Sequence, residues 1–247
     1  MIRNLLAASA LVFAVPAFAA ESYKVEPVGN SSFSAVFDAT FGERINAVSS
    51  EISCDVSLDE KASTFSGTCS VPLTSIMVDN NETKSEHFHQ WATNKKGDPK
   101  KCLLEAKFDG VKVEGLSATK PANFTAEVPF TVCGRAREDG GKEKVTGQLA
   151  FFPEGSYGPG VKAIRARAKV EGFNRDRYRI SPKHTEGWAA RVQGLASVVA
   201  EEGSIDLSLI AKGEEQKPAA AAPGKAAEAP KAQPVKSQGA GKSAKTK

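Results

Sequence analysis

Apolar residues recur at every second position through most of this chain, and that period commits the body to β-structure. In SSFSAVFDATFG, Phe33, Ala35, Phe37, Ala39 and Phe41 fall on one side, and Ser34, Asp38 and Thr40 on the other. Successive side chains of a strand point to opposite faces, so such a run has one buried and one wet face. Ile52, Cys54, Val56 and Leu58 repeat the pattern, as do Phe65, Cys69, Val71 and Leu73. Leu104, Ala106 and Phe108 follow, and then Phe124, Ala126, Val128, Phe130 and Val132. In VKAIRARAKVEG the split is sharpest: Ile164, Ala166, Ala168 and Val170 oppose Arg165, Arg167, Lys169 and Glu171. A last strand is expected at about 203–211. The turn-rich breaks LDEKAS, GLSATKPA, REDGGKEK and PEGSYGPG separate these runs. One stretch, about 80–91, has helical character.

About eight antiparallel strands of this kind suit a sandwich or an up-and-down barrel. The barrel is preferred because closure removes the exposed edges of strands this long, and eight strands enclose room for one small ligand. Ala and Gly alternate with Phe on the inner face. Two readings stay open: a lined cavity, or a plainly packed core. As a lining, the residues concerned are Phe33, Phe37, Phe41, Leu104, Phe108, Phe124, Val128, Phe130 and Ile164.

The two ends of the chain differ from the body. Residues 1–19 have the form of a bacterial export signal, with Arg3 ahead of an apolar run and Ala17-Phe18-Ala19 as the cleavage site. The apolar run is too short to cross a bilayer, and a soluble protein exported to the periplasm or beyond is expected. Residues 213–247 hold no aromatic side chain and little that packs, so a disordered tail is expected. Seven lysines against three glutamates make that tail basic. With Arg3, it accounts for more than the formal +4 of the whole chain, leaving residues 20–212 near −1. The tail is a candidate for weak contact with anionic envelope polymers or lipid head groups. The body, by contrast, carries no basic patch interleaved with aromatics, which argues against nucleic acid as a partner. A single domain is expected over 20–212; a homodimer stays open.

All four cysteines lie in the exported body, an even count in a compartment that favours disulfides. Four cysteines permit three pairings. Cys54 and Cys69 flank LDEKAS on the apolar faces of their strands, which suits a cross-strand bridge. Cys102 and Cys133 flank the hairpin around Ser117, but Cys133 is out of phase with Phe130 and Val132. A bulge at Pro129 is the expected remedy. Sequential pairing is favoured, with both bridges as structural staples.

IMVDNNETKSEHFHQW gathers histidines, acids and amides together. A metal there is disfavoured: on a helix, positions i and i+2 diverge by about 200°, so His87 and His89 cannot share one ion. Glu86 and His89 can share a face, but no second half completes a metal motif. No nucleophile–base pair marks catalysis, and lone His184 adds little. The structural reading is a helix capped by Asp79 or Asn80, with Glu82 in its first turn. Phe88 and Trp91 then pack the helix over the barrel.

These features together resemble the YceI-like family of bacterial periplasmic proteins. ESYKVEP opens the domain ahead of the Phe-alternating strand. Ser75-Ile76 leads to Asn81, Glu82, Glu86, His87 and Phe88, similar to the family's N-E-x-x-x-E-H-hydrophobic pattern. KCLLEAKFDGVKVEG is similar to the strand after that helix, and GFNRDRYRI, through Asn174, Arg175 and Tyr178, to its late turn. The resemblance covers about 21–212. This chain departs from it at PVGNSS, where members often carry a histidine, and at ATNKKGDPKK and 181–198. The four cysteines are no hallmark of the family.

The resemblance implies a lipocalin-like barrel and binding rather than catalysis. A small lipid ligand with an isoprenoid chain, such as a quinone or a prenyl phosphate, would sit in the barrel, held for transport, storage or stress protection. Asn81, Glu86, His87 and Arg175 become candidate contacts to its polar head. No other cofactor is implied. Two other functions remain as alternatives: a hydrolase or metal enzyme built on Glu86, His87 and His89, and an envelope-binding protein acting through the tail.

Overall fold

A computed structural model describes residues 20–25, 31–93, 98–118, 120–184 and 198–213. The expected export signal, nearly all of the expected tail and most of the segment 181–198 lie outside these residues. The body is all-β, with strands β1 (Glu21–Val25), β2 (Ser32–Ala39), β3 (Arg44–Ser49), β4 (Ser53–Asp59), β5 (Thr64–Pro72) and β6 (Met77–Val78). One α-helix, α1 (Glu82–Thr93), follows. Then come β7 (Leu103–Lys112), β8 (Ala122–Val128), β9 (Phe130–Val132), β10 (Arg135–Ala136), β11 (Glu143–Phe152), β12 (Ala163–Asn174) and β13 (Val199–Gly213). Gly213, the expected first residue of the tail, is the last of β13.

Every pairing is antiparallel, in one sheet whose ladders run β10-β9-β7-β5-β4-β1-β13-β12-β11-β8. β2 also pairs with β13, along Val199 to Ser208, while β1 pairs with its end at Lys212 and Gly213. β3 pairs with β2, and β6 with β3. The ladder does not close into a ring, so the expected barrel is not met as a continuous hydrogen-bonded path. Its break falls at Pro129, the single residue between β8 and β9. Proline has no N–H to donate, although its carbonyl still accepts from Lys107 N at 3.2 Å.

The alternation read from the sequence becomes the inner face. Tyr23, Ile52, Leu58, Leu149 and Ile164 are almost wholly buried, and Arg165, Arg167 and Lys169 lie outside. Two glycines let phenylalanines lie flat on the sheet. Gly147 faces Phe124 across the β8–β11 ladder, and Gly203 faces Phe37 across β2–β13. A Cβ at Gly203 would sit 2.6 Å from the Phe37 ring. Such rings cover a strand position that has no side chain of its own. Gly172, at φ 70°, forms a bulge in β12 where its register on β13 shifts, and bulges of this kind bend a strand and raise its twist.

Both disulfides are present. Cys54 and Cys69 are direct partners in the β4–β5 ladder, with Cα atoms 4.1 Å apart. Cys102 and Cys133 are joined with Cα atoms 4.4 Å apart. No phase correction occurs at Pro129: Val128, Phe130 and Val132 are all buried, in one unbroken alternation. Cys133 instead takes a left-handed backbone, φ 50°, next to Gly134 at φ 73°. That turn swings its side chain towards Cys102 after the strand has ended.

Candidate functional site

An apolar cavity of about 340 Å³ lies between α1 and the β2–β3 hairpin. Period two builds its sheet side, because Phe37 and Ala39 of β2 and Ile45 and Ala47 of β3 share the inner face. Val78 of β6, with Ile180, Val198 and Val199, extends the apolar wall. The helix side is a stripe at i, i+3, i+4 and i+7: Lys84, His87, Phe88 and Trp91. That spacing was present in the sequence and marks the cavity-facing side of α1 better than the Glu82/Glu86/His89 grouping does.

Local chemistry fixes α1 over the sheet. The helix cap is Asn81, whose Oδ1 accepts from Lys84 N at 2.9 Å. The expected caps, Asp79 and Asn80, both have left-handed φ and turn the chain into the helix. Buried Ser85 donates to Asn81 O at 2.7 Å and accepts from Val78 N at 2.9 Å, locking the helix to β6. His89 Nε2–H donates to Ile76 O at 3.0 Å. Asp79 accepts from Asn46 N at 2.8 Å and from Lys84 Nζ at 2.7 Å. Partial burial opposes ionisation of Asp79, but these two donors outweigh it and hold its carboxyl below the usual range.

Polar groups also border the cavity. The His87 ring lies nearly parallel to that of Trp91, centroids 6.3 Å apart. Trp91 Nε1–H is buried and has no hydrogen-bond partner among the described residues. Buried indole N–H groups usually find a partner, and this one is left without one among those residues. Arg175 is buried, and its guanidinium donates to the carbonyls of Ile180 (2.7 Å), Val199 (3.0 Å) and Ala200 (3.1 Å). Burial pushes its pKa down, against the charges of Asp176 and Glu201. The guanidinium ties the turn after β12 to β13 and forms part of the cavity wall.

Tyr178 supports that turn from behind. It is fully buried, stacks on Phe173 at 5.0 Å and donates its hydroxyl to Glu143 Oε1 at 2.8 Å. Arg137 reaches the same oxygen at 3.3 Å. Burial and then Glu143 keep the phenol protonated far above its ordinary range. Removing the hydroxyl leaves a buried carboxylate short of a donor. Tyr178→Phe is expected to cost about 1–3 kcal/mol in urea unfolding; an unchanged midpoint would show the hydroxyl to be idle.

The remaining sequence-derived residues divide by place. Of the expected lining, Phe37 and Phe41 border this cavity. Phe33, Leu104, Phe108 and Phe130 surround a separate void of only about 40 Å³. Phe124, Val128 and Ile164 are buried in the main core and border neither. Phe41, expected inside, is 99% exposed. Its strand ends at Ala39, and Phe41 and Gly42 turn at φ 67° and 77°, so the alternation no longer decides where the ring points. His87 and Arg175 border the cavity, whereas Asn81 and Glu86 are exposed and do not. Ile45, Ala47, Val78 and Lys84 also line the cavity, although neither the alternation nor the helix motif marked them. Glu86, His87 and His89 do not converge: Glu86 is exposed, His87 faces Trp91 and His89 faces Ile76 O.

No family model and no curated protein matches the chain. Among solved structures, the fold is similar to that of a polyisoprenoid binding domain from Saccharophagus degradans implicated in plant cell wall breakdown. The likeness has a TM-score of 0.52 at 10% identity and covers 79% of this chain and 99% of that one. At that identity the two share an all-β fold, and the cavity beneath α1 is this chain's own observation.

Proposed function

We propose that this is an exported, periplasmic binding protein of the YceI-like kind, which holds an isoprenoid-type lipid by one end in the cavity beneath α1. The observation that carries the reading is the cavity itself. It is an apolar wall of Phe37, Ile45, Ala47, Phe88 and Trp91 with Lys84, His87 and Arg175 bordering the same space. Its volume is at the lower end of small-ligand sites. An apolar chain there gains roughly 25 cal/mol for each Å² withdrawn from water. The cationic side chains of Lys84 and Arg175 suit an acceptor-bearing or anionic head, such as a quinone carbonyl or a phosphate.

Strand order supports a working lipocalin-like barrel. β1 with β2, β3 with β4, and β8 with β9 can each be taken as one interrupted run. Neighbours then follow chain order, and the last run, β13, returns to the first. The interior beyond the cavity is packed around its small void. A long chain therefore enters by its first units only, or displaces side chains such as Phe33 and Leu104. The fold neighbour, described as binding polyisoprenoid, lends weight to the ligand class. Two disulfides suit an oxidising compartment.

Mass spectrometry of organic extracts of the purified protein is the test. An apolar-chain lipid is expected, and its repeated absence from protein made in a lipid-replete host would end the reading. Filling the cavity with Ala47→Phe, or at its rim with Ala39→Phe, is expected to remove most of that lipid. Glu86→Ala, at an exposed position off the cavity, should keep it.

A further inference from the structure

We infer that the tip of the β2–β3 hairpin, led by Phe41, docks on lipid bilayers, so that the protein meets its ligand at a membrane surface. The inference builds on the cavity reading above. Phe41 is the most exposed large apolar side chain among the described residues. Its ring is held out in water by a bonded turn: Ala39 N donates to Glu43 O at 2.7 Å, and Thr40 N to Val198 O at 2.8 Å. The left-handed backbone at Phe41, φ 67°, is unfavourable for a bulky side chain. A ring so exposed, in so unfavourable a backbone conformation, adds nothing to the packing of the described residues.

Position and isolation choose the partner. Phe41 belongs to the cavity rim, so apolar surface runs from the hairpin tip into the binding space. A contact between two copies needs about 800 Å² from each, and one ring supplies roughly 150–250 Å² at most. The partly exposed Val48 and Met77 oppose each other farther along, on the β3–β6 ladder. A bilayer asks for no matching pocket, and a single inserted ring gives weak, reversible attachment. Thr40, Glu43 and Arg44 around the ring are exposed and polar, and Arg44 pairs with Asp38 at 3.5 Å. Insertion would therefore stop at the ring, with Arg44 at head-group level. Weak attachment suits a protein that must leave again with its cargo.

The test is flotation of the full-length protein with phosphatidylcholine vesicles that contain no isoprenoid, in about 0.15 M salt, where zwitterionic lipid and screening quiet the lysine-rich tail. The wild-type chain should co-float, and Phe41→Ser should lower its partition coefficient by about tenfold or more. Phe41→Trp should restore flotation, with indole emission moving to the blue as vesicles are added. Equal flotation of wild type and Phe41→Ser, or unchanged emission from Phe41→Trp, would overturn the proposal. So would a self-association that Phe41→Ser abolishes without any vesicle binding, which would assign the ring to a second copy. Because these vesicles hold no isoprenoid, flotation reads docking alone. A chain that floats but never carries lipid keeps the docking and loses the carrier function; one that carries lipid but never floats does the reverse.

Discussion

Cys102→Ala combined with Cys133→Ala is expected to lower unfolding free energy by roughly 4 kcal/mol, and Cys54→Ala with Cys69→Ala by roughly 3 kcal/mol. The bridges span 31 and 15 residues respectively, and a cross-link removes more freedom from the unfolded chain when it closes a longer loop. The two also act in different places. Cys54–Cys69 lies inside a hairpin that its own ladder already closes. Cys102–Cys133 joins the start of β7 to the end of β9, beside α1, where Cys133 N bonds to Leu103 O at 2.8 Å and Cys133 Sγ reaches Ala92 O at 3.3 Å. Its loss should loosen that end of the helix as well as the chain as a whole. Alanine avoids burying new hydroxyls, since Cys54, Cys69 and Cys102 are buried. Urea midpoints of the two double variants, measured without reductant, provide the check. Midpoints equal to the wild type would mean that the sheet alone carries the stability.

Gly147→Ala should destabilise by about 3 kcal/mol, at the upper end of overpacking costs, which is a fall of roughly 6–12 °C in Tm for a domain of this size. In an ordinary strand the same change would be mildly stabilising, because glycine loses most entropy on folding. Here a Cβ would lie 2.4 Å from Arg167 O and 2.5 Å from the Phe124 ring. The carbonyl is part of the β11–β12 ladder and cannot swing away. The ring is wedged edge-on against Phe65, centroids 5.1 Å apart, so moving it disturbs a second aromatic. Adding Phe124→Leu should recover only the part of the loss that comes from the ring. A Gly147→Ala protein more stable than wild type would refute this packing.

Much of the fold was legible because strand periodicity is a local property. Ile164, Ala166, Ala168 and Val170 face inward and Arg165, Arg167 and Lys169 outward as alternation requires, and the helix is placed within two residues. Local signals failed where the chain leaves the strand. Phe41 continues the alternation of Phe33 and Phe37 on paper, yet a turn of two left-handed residues points it at solvent. Cys133 looked out of phase, and a backbone turn after β9, not a bulge at Pro129, brings it to Cys102. The helix cap moved from Asp79 or Asn80 to Asn81 because Asp79 is drawn away by Asn46 and Lys84, residues of another strand and of the helix itself.

The site was less legible than the fold. Of its polar side, His87 and Arg175 were named from a motif resemblance, whereas Lys84 and Trp91 come from a helical stripe whose direction depends on what the helix lies against. Alternation alone could not separate cavity from core. Phe37 and Phe124 read identically in sequence, but one borders the cavity and the other packs on Gly147. Alone, the sequence determined that the body is antiparallel β with one short helix, which side chains turn inward within the strands, and where charge lies along the chain. Those follow from backbone geometry and from composition. Tertiary structure decided which inward side chains leave a space and which fill it, because a void depends on what reaches a point from several strands at once, and no single stretch of chain records that.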